Sequence, residues 1–168
     1  MEQTTSRSLV TRRSLIASGL VLAATAAGGR VWCSYRIAPQ ARVLSQDELN
    51  VVSALAEVMF PGEPMPITGL QANVPLEVDR LLDEVFDTVR STGFRAALKV
   101  LQVGTIATWG RPFTKLSADE RRQVLEVWSD PDIIPRRVAF DGFSGVLGMV
   151  YWQHPVIIDY LGWKVCSP

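Results

Sequence analysis

One five-residue signal occurs twice in this chain, as Leu44-Ser45-Gln46-Asp47-Glu48 and as Leu116-Ser117-Ala118-Asp119-Glu120. In each, the serine side chain can accept from the amide three residues on, while the glutamate reaches back to the serine's own amide. A helix start leaves four amides without intrahelical partners, and this box satisfies such groups at both ends. Leu44 can also pack on Leu49 as a hydrophobic staple. Apolar residues at helical spacing follow each box: Leu49, Val52, Ala56 and Met59 after the first, Val124, Leu125 and Trp128 after the second. No segment of the chain alternates with period two. These signals predict an all-α domain.

Punctuation divides the rest. Pro61-Gly62 ends the first helix, and an irregular stretch with Pro61, Pro64, Pro66, Gly69 and Pro75 runs to Pro75. A loop of that length is uncommon inside a compact domain and is often functional. A second helix is expected from Pro75, with Val78, Leu81, Leu82, Val85 and Val89 on one stripe. Asp79, Asp83, Glu84 and Asp87 read as its solvent face rather than as a cation site. Ser91-Thr92-Gly93 reads as a break. A third helix is expected from Phe94 to Trp109, with Phe94, Leu98 and Leu101 inward. Its Gly104 costs about 1 kcal/mol relative to alanine, which predicts a close packing contact. After the second capping box, Pro131 and Pro135 bracket a turn. A long helix from Arg136 to Trp152 and a short one from Val156 to Trp163 complete a compact bundle of about five helices.

The long last helix is unusual. Gly142, Gly145 and Gly148 recur every third residue among large apolar ones, at a propensity cost of about 2–3 kcal/mol. Close approach of a neighbour is the expected offset. Another helix of the same domain is the first reading, and a partner chain is the alternative. The spacing is no dinucleotide-binding fingerprint, because no strand precedes it. Tyr151, Trp152, Tyr160 and Trp163 crowd the end of the chain. Such rings are enriched at interface hot spots and are equally ordinary core residues. With the three glycines they form the candidate partner interface.

The start of the chain reads as an address. Thr11-Arg12-Arg13-Ser14-Leu15-Ile16 leads into an uncharged run from Leu15 to Gly29. That run is shorter than the roughly 20 residues needed to span a bilayer. A charged region, a short apolar region and the small residues Ala24-Thr25-Ala26 make an export signal. Adjacent Arg12 and Arg13 mark it as a twin-arginine signal, read by the translocation receptor. The organisation expected is a signal over 1–29, a linker over 30–43 and a helical subunit domain over 44–168. Leaders of this class serve proteins that fold before they cross the membrane, so a periplasmic location is expected.

The whole chain has a net charge of zero, and the leader carries Arg7, Arg12 and Arg13 against Glu2. The mature chain is therefore slightly acidic, with nothing basic left to track a nucleic acid. Cys33 and Cys166 could pair in an oxidising compartment, constraining the unfolded chain by roughly 4–5 kcal/mol; two unpaired thiols are the alternative. There is no Cys-x-x-Cys-His for covalent haem, no phosphate loop and no nucleophile elbow. His154, the single histidine, precedes Pro155 and reads as structural or solvent-facing. No nucleophile with an activating base can be assembled, so no catalytic, metal or cofactor residue is expected in this chain. It reads as a protein that binds rather than reacts.

Three segments carry a family likeness. They are Leu44-Ser45-x-x-Glu48-Leu49 through Ala54-Leu55-Ala56-Glu57-x-Met59-Phe60-Pro61, Phe113-x-x-Leu116-Ser117-x-x-Glu120-Arg121 ending at Trp128, and Tyr151-Trp152-x-His154-Pro155 to Tyr160-Leu161-Gly162-Trp163. With the leader, this ordered set resembles the gluconate 2-dehydrogenase subunit 3 family. Lys164-Val165-Cys166 departs from it, since a Pro-Gly is more usual there. The resemblance implies the small gamma subunit of a membrane-associated sugar or polyol dehydrogenase. Its expected partner is a large FAD-dependent catalytic subunit of the glucose–methanol–choline oxidoreductase family. A cytochrome c subunit would take the electrons onward, and the complex would associate with the inner membrane. The large subunit in such complexes has no signal of its own and travels on the twin-arginine leader of the small one. The alternative is a free-standing exported protein that binds a small ligand near the Pro61–Pro75 loop.

Overall fold

The computed structural model of the protein describes residues 36–163. Arg12, Arg13, Cys33 and Cys166 lie outside the described residues, as does the expected signal. Five helices of 11 residues or more carry the domain: α1 (Gln46–Met59), α2 (Val74–Glu84), α3 (Thr88–Gly104), α5 (Ala118–Trp128) and α6 (Ile134–Trp152). A single turn, α4 (Ile106–Trp109), a 3-10 turn (Phe113–Lys115) and a short α7 (Pro155–Leu161) complete it. Among the described residues there is no strand, only an isolated antiparallel bridge between Ile37 and Ser45. The all-α expectation holds.

α1 is the hub. It packs on α2, α3, α5 and the 3-10 turn, while α6 packs on α2, α3, α5 and α7. Val51, Val52, Leu55 and Ala56 of α1 are buried with Leu82, Leu98, Leu101, Phe143 and Leu147. Both capping boxes form as read. The Ser45 amide donates to Glu48 Oε2 at 2.8 Å and the Ser117 amide to Glu120 Oε2 at 2.7 Å. Leu44 and Leu49 are buried together at the first box, as a staple requires. Glu48 has a second task. Its other oxygen lies 3.3 Å from Arg95 Nε and 3.6 Å from Lys99 Nζ, which ties the cap of α1 to α3.

Three expectations are corrected. The break between the second and third helices falls at Val85–Asp87, not at Ser91-Thr92-Gly93. Asp87 Oδ1 accepts from the Arg90 amide at 2.7 Å and starts α3 at Thr88. Gly93 then sits inside a helix, and Val85 and Val89 leave the buried stripe for the surface. Second, Asp79 is not on a solvent face. It is buried on α2 and accepts from the amides of Arg42, Val43 and Leu44 at 2.6, 3.0 and 2.7 Å. Arg42 adds ion pairs to Asp83 and Glu84. The stretch before α1, read as linker, is therefore packed from Ile37 onward, with Ala38 buried and its amide bonded to Leu44 O at 3.0 Å. Third, α3 stops at Gly104 instead of running to Trp109. A Cβ on Gly104 would meet only Trp128, at an ordinary 3.9 Å.

The Pro61–Pro75 stretch is clamped. A Cβ on Gly69 would stand 2.7 Å from the carbonyl oxygen of Ala56, so only glycine permits this approach to α1. The Gly69 amide donates to Phe60 O at 2.9 Å. The Tyr151 hydroxyl donates to Ile67 O at 2.7 Å, and that of Tyr160 to Pro64 O at 3.0 Å. Phe60 stacks on Tyr151 with centroids 4.2 Å apart.

Candidate partner interface

The two sides of α6 differ. Phe143, Val146, Leu147 and Tyr151 face the core, whereas Val138, Gly142, Gly145 and Met149 form a stripe four, three and four residues apart that faces water. A Cβ added to Gly142 or Gly145 would find no heavy atom within 4 Å. Among the described residues no helix packs closely against them, contrary to the first reading of these glycines. Gly148 is different: it is buried, and a Cβ there would touch the indole of Trp152 at 3.5 Å.

Beside that stripe runs the outer side of α3, where Arg90, Gly93 and Ala97 follow at helical spacing. Between the helices lies an apolar groove of about 660 Å³, floored by Phe94 and Phe143 and lined also by Phe86 from the α2–α3 corner. The floor rings meet edge to face with centroids 5.7 Å apart. Val138, at 65% exposure, and Met149, at 47%, stand along the α6 side. The α3 half was missed in the sequence because Gly93 read as a break.

Arg90 and Asp141 are the charged residues lining this groove, and each is neutralised within its own helix. Arg90 lies 3.6 Å from Asp87, and Asp141 lies 2.9 Å from Arg137. The groove therefore offers apolar contact and bare backbone, without unpaired charge. A second concavity of about 510 Å³ adjoins it at Met149, between α2 and the α6–α7 junction. Its polar lining comprises Asn73, Glu77, Arg80, Glu84, Gln153 and His154. Glu77 pairs with Arg80 at 2.7 Å, and Glu84 with Arg42 at 2.7 Å. His154 caps α7, its Nδ1 accepting from the Val156 amide at 3.3 Å.

The aromatic tail does not form one patch. Tyr151 is wholly buried and serves the loop, and burial raises its hydroxyl pKa above the ordinary phenol value. Trp152 sits over Gly148 at the edge of the core. Tyr160 is exposed on its face but bonded to Pro64, and Trp163 is exposed where the described residues end. Among the described residues, no group of three or more His, Cys, Asp or Glu could hold a metal ion, and no helix is long and apolar enough to cross a membrane.

The groove between α3 and α6 faces water, and most of its lining is apolar. The chain belongs to the gluconate 2-dehydrogenase subunit 3 family, whose model matches residues 46–160. By that description the family is a dehydrogenase subunit, one polypeptide of a multi-subunit enzyme. Neither the curated proteins nor the solved structures compared with the chain give a match.

Proposed function

We propose that this chain is the non-catalytic small subunit of an exported flavin-dependent sugar or polyol dehydrogenase. It binds the FAD-containing large subunit, stabilises it, and escorts it folded through the twin-arginine route. The family match over residues 46–160 carries this reading. The leader with Arg12 and Arg13 supports the escort role, because a signal for folded cargo suits a cofactor-loaded partner. The open glycine stripe supports partner binding, because Gly142 and Gly145 burden α6 and no described residue packs against them. FAD, and any cytochrome c, belong to other chains of the complex in this reading. The alternative of a small ligand at the Pro61–Pro75 loop has less support, since the loop's backbone is spent on α1, Tyr151 and Tyr160.

Copurification from cells carrying the neighbouring genes tests binding. A flavoprotein in stoichiometric amount is the expected result, and its absence sinks the proposal. Escort is tested by Arg12→Lys with Arg13→Lys, which should leave both chains in the cytoplasm. Normal export of the large subunit in that double variant contradicts escort.

A further inference from the structure

The stretch that leads into α1 is strapped to another helix. One buried carboxylate, Asp79 on α2, accepts from three consecutive amides, those of Arg42, Val43 and Leu44, at 2.6, 3.0 and 2.7 Å. Hydrogen bonds to a charged acceptor are stronger than those to a neutral one. Arg42 adds ion pairs to Asp83 and Glu84. Ala38 and Leu44 are buried, and an antiparallel bridge joins Ile37 to Ser45. Beyond the strap stands the first capping box, whose serine and glutamate are three residues apart. A pull on the chain before Ile37 therefore meets the strap before it reaches α1. Without Asp79 the same pull falls on Ser45 and the start of α1, and helix ends fray.

We propose that the Asp79 strap is a towing anchor. It passes force from the leader to α2, so that the domain stays folded while the leader draws it and its cargo across the membrane. The inference rests on the escort reading, in which the cargo moves on this chain's signal. One carboxylate holds all three amides, so the strap opens as a unit. Asp79 lies 35 to 37 residues from its partners, so the anchor forms only once α2 has packed on α1. A contact that merely stabilises the fold matters for every direction of pull, whereas an anchor matters for one.

Force spectroscopy on the full chain tests the anchor. One handle replaces exposed Gln123 on α5, and the other is placed either at the N-terminus or at exposed Asp47, which bypasses the strap. Asp79→Asn should shorten the lifetime of the fold about tenfold or more when the chain is pulled from its N-terminus, and less than about threefold when it is pulled from Asp47. Arg42→Ala removes only exposed ion pairs and should act in the same direction, more weakly. It keeps the comparison of the two pulls open where Asp79→Asn fails to fold. Equal shortening from both handles, or none from the N-terminus, overturns the anchor. In cells, Asp79→Asn at equal expression should lose large subunit from the periplasm, and unchanged delivery overturns the towing role. If Arg12→Lys with Arg13→Lys leaves export normal, the escort reading fails and towing with it, whatever the force curves show.

Discussion

The Pro61–Pro75 stretch and the outer face of α6 invert what their local chemistry announces. The first is irregular and proline-rich, yet its backbone is held by α1, Tyr151 and Tyr160. The second is regular helix, yet among the described residues nothing would meet a Cβ on its Gly142 or Gly145 within 4 Å. A glycine's meaning lies in its surroundings. At Gly69 the fold requires the missing Cβ, and at Gly142 and Gly145 the fold alone gains nothing from it.

Substitutions can break that contrast. Gly69→Ala forces a methyl against the Ala56 carbonyl and should destabilise the domain by about 2–3 kcal/mol in denaturant titration. A neutral result would mean that the loop is not clamped. Tyr151→Phe removes the bond to Ile67 O and should cost about 1–2 kcal/mol, with faster amide exchange across the loop. Gly142→Ala and Gly145→Ala should have the opposite sign. Each should stabilise the free subunit by about 0.5–1 kcal/mol, read from its melting curve. Loss of stability at either would show that something inside the domain needs those glycines.

The smallest effect concerns acid. Glu120 titrates below its ordinary value of 4.5, chiefly because the Ser117 amide donates to its carboxylate, with Arg111 adding charge. A depressed carboxylate contributes stability above its ordinary value that is lost as pH falls through the folded one. The gap in denaturation midpoint between wild type and Glu120→Gln should thus be widest near neutrality and close below pH 4.5. A gap that widens on acidification would contradict the box as the source of the shift.

What was legible in the sequence follows from the range of the interactions. Both capping boxes close within four residues, so Ser45–Glu48 and Ser117–Glu120 could be read directly, and the helical class with them. Asp79 could not. Its partners lie 35 to 37 residues away, and spacing on α2 made it look like part of a charged surface. Asp87 reads from spacing as part of the same surface, which hides its role as the cap of α3 and makes Gly93 look like a break. On α6, periodicity set Gly142 and Gly145 on one side but could not say whether a neighbour stood there. The groove needs α3 beside α6, a pairing that no local pattern encodes.

In the proposed complex α6, and not the loop, meets the dehydrogenase partner. Amide hydrogen exchange compared between the free subunit and its complex with the proposed flavoprotein tests this most directly. Slowed exchange is expected over residues 89–97 and 138–149, with residues 61–73 unchanged. Protection of the loop, with α3 and α6 exchanging as in the free subunit, would contradict it.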